Sequence, residues 1–176
     1  MVTIGKPSHV LLLLIYCLLH ILYVLSDEIS KINILIEKFT IAWNRHDAKE
    51  FAELFAEDGE WTDVLGQHVK GKEQIEKLHE YPFKSVLKDA TLTILTIRNR
   101  FITKDIFAID LEWKTTGNKT PDGKPIPDRN GLLDLIVTLE RGITRIILGH
   151  NVDYTKAYSR SDLIHDSKYT DAIDSR

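Results

Sequence analysis

Between residues 27 and 45, apolar positions recur at steps of three and four: Ile32, Leu35, Ile36, Phe39, Ala42 and Trp43. That period predicts an amphipathic helix over 27–45. Ile34 and Ile41 lie off the stripe, so the helix is expected to be covered on more than one side. Asp47-Ala-Lys-Glu50 follows, an acid at the cap position with a glutamate three residues on, which reads as a capping box. It predicts a second, shorter helix burying Phe51, Leu54 and Phe55. Glu60–Val64 reads as a short strand, Leu65-Gly66 as a turn and Gln67–Val69 as the return strand. Gly71 precedes a third helix that carries Ile75 and Leu78 and ends near Pro82.

The period then changes from helical to alternating. Residues 91–101, 106–116, 132–141 and 143–153 are β-rich runs separated by turn residues. Phe107, Ile109, Leu111 and Trp113 alternate with Ala108, Asp110, Glu112 and Lys114, which gives one plainly apolar face. The long connection, 117–130, holds Pro121, Asp122-Gly123, Pro125 and Pro127 and predicts a mobile loop. Residues 154–176 are polar and without period, a C-terminal tail. Helices followed by a run of antiparallel strands predict an α+β domain over residues 27–153, in the order ααββαββββ. Its expected form is a cone-shaped, curved antiparallel sheet packed on three N-terminal helices, and the interior of such a cone is the default small-molecule site.

The front end changes the picture of where the domain resides. Residues 10–25 are apolar apart from His20, Lys6 precedes them, and no acid occurs before Asp27. This fits a signal peptide over residues 1–26, cut after Ser26, which makes the domain secreted or periplasmic. The alternative is a membrane anchor if residues 10–25 stay uncleaved, although the run falls short of the roughly 20 residues of a span. Cys17 lies inside the run without small residues before it, unlike a lipoprotein site.

The whole chain has 176 residues, 23 Lys+Arg against 26 Asp+Glu, a formal net charge of −3 and one cysteine. The charge offers no electrostatic case for nucleic acid, whose binding needs a basic face. A single cysteine excludes a disulfide scaffold and a thiolate metal site. Seven histidines show no metal-ligand spacing; His79 and Glu80 are adjacent, not helically aligned, so no metal is expected. No dinucleotide or flavin fingerprint is present, and no cofactor is expected. Asn118-Lys119-Thr120 is formally an N-glycosylation triplet.

Three motifs carry a family resemblance: A-W-N-R-H-D at 42–47, L-F-A-E-D at 54–58 and G-H-N at 149–151, in the element order above. Together they resemble the SnoaL-like branch of the nuclear transport factor two-like superfamily, nearest to its SgcJ/EcaC-type group of bacterial proteins. The resemblance spans residues 28–153. It implies the cone fold and a homodimer; it does not imply one activity, because this fold hosts isomerases, cyclases, dehydratases, hydrolases and binding modules.

Within the resemblance, the stretch L-F-A-E-D-G-E-W-T-D-V-L-G is similar, without gaps, to the region of ketosteroid isomerase that bears its catalytic carboxylate, and Asp63 falls on that position. A carboxylate lining an apolar cone can act as general base on an acidic C–H or a water. The isomerase's proton-donating tyrosine corresponds to Phe39, and its protonated acid to Ile136, with Asp134 two residues earlier on the same strand face. Lacking that oxyanion stabiliser, the chain is not expected to perform steroid-type isomerisation. His150 is a second catalytic candidate. Alternation puts Ile146, Leu148 and His150 on one face and Ile147, Gly149 and Asn151 on the other; either set can face the cone. His46, beside Trp43 at the junction of the first two helices, is the third. Trp43, Phe55, Trp61, Trp113 and Asn151 are the candidate ligand-binding residues, for a small apolar ligand. Two functions remain open: a cofactor-independent acid/base enzyme of isomerase, dehydratase or hydrolase type, and a noncatalytic small-molecule-binding or dimerisation module.

Overall fold

The computed structural model describes residues 9–154. The polar tail from residue 155 onward and the first eight residues of the expected signal segment lie outside the described residues. Three helices precede and interrupt a six-stranded sheet: α1 (His9–Asn44), α2 (Ala48–Ala52), β1 (Phe55–Thr62), β2 (His68–Lys70), α3 (Lys72–Lys84), β3 (Thr91–Phe101), β4 (Ile106–Thr116), β5 (Arg129–Glu140) and β6 (Ile143–Asp153). The sheet is curved and open, with strand order β2-β1-β6-β5-β4-β3. The α+β class and the element order are as expected, with one correction: the sheet is mixed. β1 runs parallel to β6, while the other neighbours are antiparallel. The chain reaches β1 before the meander and joins the two only when β6 returns to β1, so the β1–β6 contact is non-local.

Helix α1 is longer than the period predicts, continuing N-terminally through the apolar run. Only its second half enters the core: Ile32, Leu35, Ile36, Phe39 and Ala42 are buried, whereas Val10–Leu14 are exposed. The helix ends in a Schellman motif. His46 takes φ +55°, Asp47 N–H donates to Ala42 O (3.2 Å) and His46 N–H to Trp43 O (3.0 Å). Asp47 then caps α2, its Oδ1 accepting from Glu50 N–H at 2.8 Å. The reciprocal half of the capping box is absent because Asp47 N–H already serves the Schellman bond and the Glu50 carboxylate pairs with Arg45. The second helix is consequently short: Leu54 lies in the turn and Phe55 opens β1 instead of ending α2.

Strands β3, β4 and β6 keep the predicted boundaries. Bulges interrupt β3 between Ile94 and Thr96 and the β5–β6 ladder between Ile136 and Val137, where Ile147 is the extra residue on β6. An extra residue reverses the parity of everything after it. Ile146 therefore points inward before the bulge, and Gly149 and Asn151 point inward after it, leaving Leu148, His150 and Val152 outside.

Two cross-strand pairs shape the inner surface. Trp61 lies opposite Gly149 and Trp113 opposite Gly131. A Cβ at Gly149 would stand 2.5 Å from Cε3 of Trp61; at Gly131 it would collide with Cζ2 of Trp113 and the Val152 carbonyl oxygen. The missing side chains let both indoles lie down on the sheet. Gly149→Ala or Gly131→Ala should each destabilise the domain by about 1–3 kcal/mol, the cost of overpacking a close-packed core. Urea denaturation checks this, together with the near-ultraviolet signature of the displaced indole.

Candidate active site

Between the inner sheet face and the helices lies a cavity of about 210 Å³. Its floor is Leu92 and Ile94 on β3, Trp113 and Thr115 on β4, Arg129 and Leu133 on β5, and Asn151 on β6. Phe39 and Trp43 of α1, with Leu78, His79 and Pro82 of α3, form the roof. Trp61, Asp63 and Val64 close one end and Asn118 stands in the wall. Most of this lining is apolar, so each polar group in it has to be accounted for.

Asp63 follows Thr62, and strand alternation returns its side chain to the inner face. The half-buried carboxylate also builds the β1–β2 turn: Oδ1 accepts from Leu65 N–H and Gln67 N–H, both at 2.8 Å. Oδ2 takes no part in these two bonds. Trp113 Nε1–H donates to Asn151 Oδ1 at 2.8 Å, which fixes the second indole over Gly131. Arg129 lines the cavity with its guanidinium turned to Asp153, Nε and Nη2 meeting one carboxylate oxygen at 2.8 and 2.7 Å. Asn118 is 1% exposed, its Nδ2 donating to Thr115 Oγ1 at 3.0 Å and its Oδ1 without a partner. The nitrogen of the formal glycosylation triplet is thus buried in the fold and engaged by Thr115. The 117–130 connection is a loop, tied down at several points: Lys119 N–H bonds Val86 O, Ile126 N–H bonds Asn118 O, and Lys119 bridges to Pro125.

Of the residues singled out from sequence, Asp63, Trp43, Trp61, Trp113 and Asn151 come together in the cavity. Phe55 does not; it is fully buried in the hydrophobic core, at right angles to Trp61. His150 does not, because the Ile147 bulge turns it to the outer face, where it is exposed beside Asp134 and Thr62. Asp134 shares that outer face, opposite Asp110. His46 is held outside the lining, its ring against Trp43 and Phe83 and its Nε2 3.1 Å from Ala90 O.

One residue that sequence reasoning passed over is His79. It is 8% exposed, in van der Waals company with Phe51, Trp61 and Phe83, and its Nδ1 lies 2.7 Å from Ile75 O, one helical turn back. Burial lowers its pKa below the ordinary 6.5, opposed by the Ile75 hydrogen bond and the nearby Asp63 charge. The signal was present in its spacing: Ile75, His79 and Phe83 form one i, i+4 stripe on α3, the buried side of that helix. Among the described residues, no cluster of three or more His, Cys, Asp or Glu is disposed to hold a metal.

The direction of the His79 shift sets a pH dependence. Unfolding restores the ordinary value, so the unfolded chain binds the proton first as pH falls. The stability contributed by a neutral His79 is complete above about pH 7 and is lost as pH falls through the folded-state value. Urea unfolding at pH 7.5 and pH 5 should show a loss in the wild-type chain that is smaller in His79→Phe.

The cone, its open sheet and its helical roof have known counterparts. The SnoaL-like domain family matches residues 36–131. An uncharacterised protein with a cystatin-like fold from Caulobacter vibrioides is 30% identical, covering 77% of this chain and 96% of its own, with a TM-score of 0.68. A hexachlorocyclohexane dehydrochlorinase (LinA) shares 15% identity over 73% of this chain and 88% of its own, TM-score 0.66. A putative scytalone dehydratase from Novosphingobium aromaticivorans shares 16% over 78% and 92%, TM-score 0.64. The last two likenesses speak for the fold alone. No curated protein matches the chain. The match lies at the level of the domain family and does not single out the SgcJ/EcaC-type group. The chain belongs to the SnoaL-like family.

Proposed function

We propose that the protein binds a small, largely apolar molecule in this cavity and acts on it by cofactor-independent acid/base chemistry centred on Asp63, with His79 as second proton-handling group. The observation that carries the reading is their shared place in the lining: a carboxylate and a neutral imidazole near each other in a mostly apolar cavity. Burial keeps His79 uncharged at neutral pH, the form that accepts a proton. Asp63 presents an oxygen beyond the one that holds the turn. A base beside an apolar wall suits proton abstraction from carbon, the step shared by isomerisations and by eliminations such as those named in the dehydratase and dehydrochlorinase neighbours.

A second reading has its own support. Two backbone N–H groups already occupy Asp63 Oδ1, so the residue has a structural task without any chemistry. On that reading the same cavity is a noncatalytic binding site, with the reactive-looking pair merely polar lining.

Hydrogen–deuterium exchange at the α-carbon of 1-indanone in D₂O separates the two. The enzyme reading expects exchange above buffer, reduced about 10²–10⁴-fold in Asp63→Asn, the usual share of general acid–base catalysis. Tryptophan fluorescence should report binding in both proteins, with affinity little changed, since Asn keeps the acceptor that ties the turn. Binding without exchange selects the noncatalytic reading, and no binding at all contradicts both.

Export and assembly complete the proposal. The apolar half of α1 is compatible with a signal peptide or a membrane anchor; the acid-free lead and Ser26–Asp27 boundary support cleavage. Leu132, Ile136 and Leu148 give the outer sheet face an apolar centre suited to a second copy. Native mass spectrometry on protein from its own host should find a dimer of chains beginning at Asp27. Retained residues 1–26 contradict cleavage, and a monomer mass contradicts the dimer.

A further inference from the structure

We propose that the ligand is a one- or two-ring compound carrying two hydroxyl groups, one received by Nε2 of His79 and the other by Oδ1 of Asn118. This rests on the small-molecule reading above and narrows the chemistry of its ligand.

The hydrogen-bond inventory of the lining leads there. Ile75 O can only accept, so the proton of the neutral His79 ring is on Nδ1 and Nε2 carries a lone pair. Nε2 has no hydrogen-bond partner among the described residues. Asn118 Oδ1 is an acceptor buried without a partner, an unfavourable state until a donor arrives. Trp113 Nε1–H is taken by Asn151, and Arg129 and Asn118 Nδ2 turn N–H groups to Asp153 and Thr115. The acceptors His79 Nε2 and Asn118 Oδ1 receive no donor from the described residues, and the ligand must bring it.

A hydroxyl fits better than an ammonium or an ether. Trp61 Nε1 is buried without a partner, and its ring lies 5.6 Å from that of His79. A hydroxyl can donate its hydrogen to His79 while its oxygen accepts from an indole N–H. An ammonium cannot accept and an ether cannot donate. The size follows from the volume. About 210 Å³ is below the roughly 300–1,000 Å³ of drug-sized sites, which confines the ligand to one or two rings among Trp43, Trp61 and Trp113.

The test compares 4-ethylresorcinol with its isosteric hydrocarbon, 4-ethyl-1,3-dimethylbenzene, on the full chain at equal free concentrations. Tryptophan fluorescence measures affinity, and ¹⁵N NMR follows the lone-pair nitrogen of His79, assigned with His79→Phe. The diol should bind about tenfold tighter and move the Nε2 resonance upfield. His79→Phe and Asn118→Leu should each erode the preference; should Asn118→Leu fail to fold, the His79 resonance decides alone. An apolar wall by itself would reverse the order. Equal or tighter binding of the hydrocarbon, with Nε2 unmoved, overturns the ligand class and leaves the cavity reading standing; no binding of either compound overturns both.

Discussion

Two tryptophans lying on two glycines set the form of this molecule's interior. Across the strands, Trp61 faces Gly149 and Trp113 faces Gly131, and in each pair the absent Cβ is the space the indole occupies. An indole that stood up from the sheet would fill the cone. Lying down, it turns apolar area to the cavity while packing its other side, and the sheet can curve around it. Trp61 also ties the floor to the roof, meeting Phe39, Phe51, Phe55 and His79. The position of α3, and with it of His79, follows from how that one ring lies.

Several polar groups of the cavity hold the fold together. Asp63 closes the β1–β2 turn with one oxygen and keeps another beyond that bond. Asn151 orients Trp113. Arg129 is neutralised by Asp153 at the edge of the floor, so its charge does not dominate the interior. His79 Nε2, Asn118 Oδ1 and Trp61 Nε1 serve no bond among the described residues, and the last two are buried. A polar atom buried without a partner is costly to keep unless something uses it. SnoaL-like cones are hosts to unlike chemistries, so the use of this cavity follows from its lining and not from its fold.

Much of the fold was legible because its signals are local. The alternation in Phe107–Trp113 and the turns around it located β3, β4 and β6 to the residue, and the stripe from Ile32 to Ala42 named the buried face of α1. What escaped was non-local. Phe55 reads as helical beside the Asp47 cap, and only pairing with Ile146 of β6 makes it a strand residue. The facing of His150 depended on one bulged residue, Ile147, which no alternation rule can foresee. Asn118 looked like loop because its neighbours are prolines and glycines; its burial depends on Thr115 and the Val86 carbonyl, contributed by other segments. Asp63, Trp61 and Trp113 were legible through strand parity and the family likeness, and Trp43 through the helical stripe, whereas the inward facing of Asn151 depended on the same Ile147 bulge. His79 was weighed as a metal ligand with Glu80, when its helical partners were Ile75 and Phe83.

The central claim is that the space among Trp61, Trp113 and His79 is an open, ligand-sized cavity in the folded protein. A crystal structure of the full chain soaked in bromobenzene tests it most directly, since the bromine marks its own position by anomalous scattering. The account predicts a bromine peak between the two indoles, with the glycines beneath them and the helical roof unmoved. A well-ordered crystal with the indoles raised into the space and no bromine within it would contradict the account.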